Sequence, residues 1–158
     1  MQEAKNIRPF LKWPGNKYRC LASIIPALPK SNRLIEPFAG SGAVFLNSHY
    51  ADYLLGEKNI HLIRLYQHLQ NDKDNFIDYC AQWFQSKFNQ KEAFYQLRRR
   101  FNESNNHKLK SALFLYLNRH GYNGLCRFNL KGEFNVPFGS YIKPYFPVVE
   151  MQHFHQKA

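Results

Sequence analysis

The sequence predicts an α/β fold in two parts: a small parallel-sheet unit over residues 1–72 and a basic, mainly helical insertion over 73–147. Three observations carry this. Two short apolar runs, "RLIEPF" and "ADYLLGEKN", are separated by a glycine bend and a helical stretch, and a second helical pattern follows. Strand, helix, strand and helix in that order make a βαβα unit with a parallel sheet. The 158 residues are 44% hydrophobic, enough for one domain's core. After about residue 73 the character shifts to arginine-bearing amphipathic helices and then to Gly, Asn and aromatic residues.

Each element has its own signal. "RPFLKWPGNKYRC" reads as an extended opening with a Pro-Gly turn, and "LASIIPALP" as a short helix stopped by Pro26 or Pro29. Strands are expected at Leu34–Phe38 and Tyr53–Glu57, with a helix after the bend in "GSGAVFLNSHY". "NIHLIRLYQHLQ" spaces Ile60, Ile63, Tyr66 and Leu69 for one helical face. "KEAFYQLRRRFNES" puts Phe94, Leu97 and Phe101 on one face beside Arg98, Arg99 and Arg100, and "HKLKSALFLYLNRH" does the same with Leu109, Leu113, Tyr116 and Leu117. From Gly121 onward loops and short hairpins are expected, with a turn at Lys131-Gly132. Residues 148–158 begin a return to the first unit.

Composition narrows the function. Lys and Arg number 22 against 11 Asp and Glu, a formal charge of +11, and aromatics make up 16%. That balance favours a polyanionic partner through counterion release, with plain solubility or an acidic protein partner as alternatives. Three widely spaced cysteines without a C-x-x-C pair suggest neither a metal knuckle nor a disulfide framework, but reduced thiols in a cytoplasmic protein. No apolar run is long enough to span a membrane, and residues 1–10 lack the apolar centre of a signal peptide.

The bend "EPFAGSGAVFLN" is the candidate ligand cradle. In a doubly wound sheet, ligands sit beyond the carboxyl ends of the strands. Gly40 and Gly42 fall there, where a missing Cβ lets the backbone approach a ligand and the next helix offers free N–H groups. The full G-x-G-x-x-G pattern is not met, because Phe45 stands at the third position, and an ordinary turn is the plain alternative. Glu57 lies 17 positions after Gly40, near the spacing at which a carboxylate meets a ribose diol; a solvated loop glutamate is the other reading. Glu36 and Phe38 occupy the cradle and no Gly-Lys-Ser does, which favours a nucleoside with a charged, phosphate-free tail over a triphosphate. S-adenosylmethionine fits that description.

Three stretches together resemble the Dam family of adenine-N6 DNA methyltransferases: "FLKWPGNK", "EPFAGSGAVFLN" and "LNRHGYNGLCRFNLKGEFNVPFGSY". The resemblance runs from about residue 8 to the end of the sequence. It implies a partial Rossmann-like methyltransferase domain carrying an inserted, mainly helical DNA-recognition domain, S-adenosylmethionine as donor, and double-stranded DNA methylated at GATC or a related site. Residue by residue, it implies donor contacts at Trp13, Lys17, Glu36, Pro37, Phe38, Gly40, Gly42 and Glu57, the last standing where the family usually has aspartate. It implies DNA contacts at Lys12, Arg119, Tyr122, Asn123, Leu125, Arg127, Pro137 and Tyr141. It calls for no metal.

The chemistry of those side chains supports the DNA reading independently. Arg127 can pair with guanine O6 and N7. Tyr122 and Leu125 are suited to entering a base stack beside a flipped adenine, and Arg119 suits a phosphate. The plain alternative makes the two apolar groups core residues and the arginines solvated. Two departures from the pattern are Asn16, where a second glycine is usual, and Ile142, where a basic residue is common.

The family's catalytic Asp-Pro-Pro-Tyr is absent: the eight prolines include no adjacent pair. The sequence therefore assigns no catalytic residue. The expectation is a truncated methyltransferase inactive alone, with a second polypeptide completing the sheet or a non-catalytic DNA-binding module as alternatives. A two-stranded sheet is marginal by itself, and its open face invites association.

Overall fold

A computed structural model describes residues 6–158; the N-terminal reading over residues 1–10 falls partly outside them. An irregular opening segment with a turn at Pro14-Gly15 leads into α1 (Leu21–Ala27). β1 (Arg33–Glu36), α2 (Ala43–Asn47) and β2 (Asp52–Leu55) follow, then α3 (Ile60–Ala81), α4 (Lys91–Glu103), α5 (His107–His120) and α6 (Val148–Lys157). The types of β1, β2 and α1–α5 follow the sequence reading; α6 had no such expectation, and Pro26 lies inside α1 rather than stopping it. β1 and β2 pair in parallel, Leu34 opposite Tyr53 and Glu36 opposite Leu55.

Both strands stop about two residues earlier than expected. Beyond them Gly56 N donates to Glu36 O at 2.7 Å and Ala39 N to Gly56 O at 2.9 Å, so the ladder turns into the bend. The sheet packs one face inward through Tyr53 and Leu55. Its other face is open: Ile35 is 58% and Leu54 56% exposed.

α5 is the central helix. Leu109 and Ala112 to Asn118 are all buried, so it has no solvent stripe over its middle turns. That is the signature of a helix enclosed on all sides. It packs against α3 and α4, and α6 packs on α3. Asn106 caps α5 by accepting from Leu109 N at 2.9 Å, and Asn59 caps α3 by accepting from His61 N at 3.0 Å. Phe94, Leu97 and Phe101 of α4 are buried as the spacing predicts.

The buried face of α3 differs from the expected one. Leu62, Leu65, Tyr66 and Leu69 face inward, while Ile60 is 50% exposed and Ile63 only half-buried. Both stripes share Tyr66 and Leu69, and the position of α5 decides between them. α3 also runs through 72/73, where the composition changes. Lys73 adopts φ 49°, ψ −128°, a kink in the helix at that point. One contiguous core joins Phe10, Phe45 and Leu62 to Phe94, Phe114 and Phe134.

After α5 the chain folds back on itself. Gly121 bridges Phe138 and Phe128 bridges Phe134, both antiparallel. The Lys131-Gly132 turn closes the inner bridge, with Gly132 at φ +76°.

Candidate donor cradle and nucleic-acid face

The bend after β1 is held open by contacts to elements far apart in sequence. Gly40 has φ +50° and Gly42 φ +72°, conformations that favour glycine. A Cβ on Gly40 would meet the Trp13 indole at 3.0 Å, so the opening segment lies directly against the bend. The Glu57 carboxylate accepts from Gly40 N at 3.1 Å and from Asn59 N at 3.1 Å. It thus ties the bend to the α3 cap. The buried Tyr66 hydroxyl donates to Gly40 O, and burial holds that phenol well above its ordinary pKa.

Glu36, at the end of β1, is pushed up to a pKa of about 7. Burial is the main cause, opposed by the Phe45 backbone amide and the Lys157 charge. Its Oε1 is buried with no hydrogen-bond partner among the described residues. A buried acceptor without a donor is costly and calls for a partner.

The remaining residues of the donor set are spread wider. Pro37 lies on the bend beside Gly56, and the Phe38 ring is 89% exposed. Lys17 turns back on its own loop, donating from Nζ to Gly15 O at 2.6 Å. The structure therefore brings Trp13, Gly40 and Glu57 together around the bend, while the Lys17 ammonium is bonded within its own loop.

The second cluster lies around the C-terminal end of α5. Asn118, fully buried, accepts from Lys12 N at 3.0 Å and donates to Lys12 O at 2.7 Å and Gly124 O at 3.0 Å. Lys12 Nζ sits 4.0 Å over the Tyr141 ring. A Cβ on Gly124 would come within 2.4 Å of the Lys12 side chain, so only glycine fits at that φ of +64°. Tyr122 N donates to Pro137 O at 2.9 Å, and its ring is 52% exposed. Asn123 is exposed with φ +51°. Leu125 is half-buried against the core.

Arg127 is exposed and aimed by Asn135: Nε donates to Asn135 Oδ1 at 2.8 Å. Arg119 is half-buried, donates from Nε to Tyr145 O at 3.0 Å, and has its pKa lowered mainly by burial. Arg119 and Lys12 also line a cavity of about 640 Å³ with Arg8, Arg19 and Glu150. Asn16 accepts from Tyr18 N at 2.7 Å, a turn role a glycine could not fill, and Ile142 is fully exposed.

Sequence reasoning missed Asn118, Tyr66 and Asn135. An asparagine inside the apolar run "LFLYLNRH" was the available signal, since a buried amide needs partners.

The model of the D12 class N6 adenine-specific DNA methyltransferases matches residues 13–158. The chain belongs to this family. The DNA adenine methylases of Salmonella typhi and Escherichia coli (strain K12) are each 49% identical to this methyltransferase-family chain over 154 residues, 98% of its length. That of Vibrio cholerae serotype O1 is 47% identical over the same length. The chain spans 55% of the first two relatives and 56% of the third. Among the described residues, no cluster of His, Cys, Asp or Glu could hold a metal ion, and no helix is long and apolar enough to cross a membrane. The three cysteines are unpaired; Cys80 is buried and Cys20 exposed.

Proposed function

We propose that this chain forms the donor-binding and DNA-reading part of an adenine-N6 DNA methyltransferase acting at GATC or a related site. Residues 1–72 and 148–158 make the donor side, and 73–147 the DNA-recognition side. The observation that carries the reading is the glycine bend with its orphaned Glu36 oxygen. S-adenosylmethionine suits both features: left-handed glycines that let the backbone approach a ligand closely, and a cationic, phosphate-free tail for the unpartnered Glu36 oxygen. Glu57 would turn from the backbone to the ribose diol, with Gly40, Gly42, Trp13, Pro37 and Phe38 shaping the pocket and Lys17 closing over it. When bound, the donor supplies an electrophilic methyl group.

The DNA side follows the same chemistry. Asn135 holds one edge of the Arg127 guanidinium, leaving the other for guanine O6 and N7. Tyr122, Asn123 and Leu125 stand on the folded-back segment with Pro137, in reach of an unstacked base. Lys12, steadied over Tyr141, meets a base edge, and Arg119 meets a phosphate. The net charge of +11 supplies the sequence-independent part of binding.

Arg127→Ala is expected to cost about 1–3 kcal/mol on a GATC duplex and to relax specificity. Arg119→Ala should weaken all duplexes alike and reduce the slope of log K against log salt by about one. Fluorescence anisotropy on specific and scrambled duplexes over a salt series measures both. Equal loss on both duplexes for Arg127→Ala contradicts its base-reading role.

A further inference from the structure

We infer that Asn118 is a positioning residue that sets the donor cradle and the DNA-reading segment in register through one short strap, Lys12–Trp13. The inference rests on the function proposed above and adds to it a residue that touches neither ligand. One amide makes every link. Its Oδ1 takes the Lys12 N–H at 3.0 Å, and its Nδ2 reaches Lys12 O at 2.7 Å and Gly124 O at 3.0 Å. Lys12 and Asn118 are 106 residues apart, so nothing local explains the pairing.

The strap faces both ways from this clamp. On one side the Trp13 indole lies against Gly40 of the bend. On the other the Lys12 ammonium sits over Tyr141, and its methylenes pack on Gly124 so tightly that no Cβ would fit there. Asn118 is fully buried, and the side chain uses its oxygen and its amide nitrogen on the strap and the reading segment alone. A buried network with all members satisfied fixes one arrangement. Shifting the strap therefore moves the indole and the ammonium together.

The signature is one substitution felt by two ligands. Asn118→Ser replaces the carboxamide with a single hydroxyl, which is polar but cannot span from Lys12 to Gly124. It should weaken S-adenosylmethionine binding and lower the preference for a GATC duplex over a scrambled one, each by about fivefold or more. Trp13→Phe should weaken only the donor, and Arg127→Ala should lower only the duplex preference. Gly124→Ala, which pushes Lys12 from the opposite side, should reproduce the double loss if Asn118→Ser does not fold. Calorimetry with the donor and anisotropy with the two duplexes, each alone, give the readouts. A variant that melts lower but keeps both affinities, or loses only one, overturns the inference. A native chain that binds neither ligand overturns the proposed function itself, and this inference with it.

Discussion

Purified residues 1–158 should incorporate no detectable methyl label from S-adenosylmethionine into unmethylated plasmid DNA. Methyl transfer to adenine N6 needs the amino group held with its lone pair toward the donor methyl. Positioning of this kind supplies up to about 7–11 kcal/mol of the barrier reduction, and each 1.36 kcal/mol is tenfold in rate. These residues contain no adjacent prolines, hence no Asp-Pro-Pro-Tyr to hold the base. Of the carboxylates at the bend, Glu57 is bonded to two backbone amides, and Glu36 is half-buried, its unpartnered oxygen given to the donor in the proposed function. Adding a polypeptide that carries the motif and pairs with the open sheet should restore incorporation. Robust incorporation by residues 1–158 alone would contradict this and require another group to hold the amine.

The largest expected effect on stability is acid destabilisation through His120. The ring is buried, stacks on Tyr116 with ring centroids 4.0 Å apart, and donates from Nδ1 to the Tyr116 carbonyl oxygen at 3.0 Å. Burial lowers its pKa from 6.5 to about 4, with the Arg119 and Lys12 charges acting the same way against the Tyr116 carbonyl. The unfolded chain therefore binds this proton first as pH falls. The resulting stability is present above pH 6.5 and lost on approach to pH 4, on the order of 3 kcal/mol. His61 is also lowered to about 4, mainly by burial, and adds in the same direction. Glu36, raised from 4.5 to about 7, acts oppositely: the folded state gains as that carboxyl protonates below pH 7. Urea titrations of native chain and His120→Gln at pH 6.5 and pH 4 separate these contributions. The native chain should lose on the order of 3 kcal/mol more than the variant; equal losses contradict the assignment to His120.

The elements legible in the sequence were those with one dominant signal. The two strands and the bend between them announce themselves as short apolar runs around two glycines, and the parallel pairing follows from the intervening helix. α4 offered a single apolar stripe, and Phe94, Leu97 and Phe101 are buried accordingly. α3 offered two stripes sharing Tyr66 and Leu69, and periodicity could not choose between Ile60 with Ile63 and Leu62 with Leu65. The kink at Lys73 had no local cue, since neither glycine nor proline stands there.

At the candidate site, the 17-residue interval from Gly40 to Glu57 was visible, but the bond between them was not. A spacing places two residues at neighbouring strand ends without saying which atoms meet. Asn118 stayed hidden for the same reason, because its partner Lys12 lies on an irregular segment at the other end of the chain.

Whether the glycine bend holds the methyl donor decides the proposed function. Isothermal calorimetry of S-adenosylmethionine into the native chain and into Glu57→Ala tests it. One site is expected in the native chain and about 10–100-fold weaker binding in the variant, from losing a charged acceptor on the ribose. Equal binding by the two proteins, or none by the native chain, would contradict it.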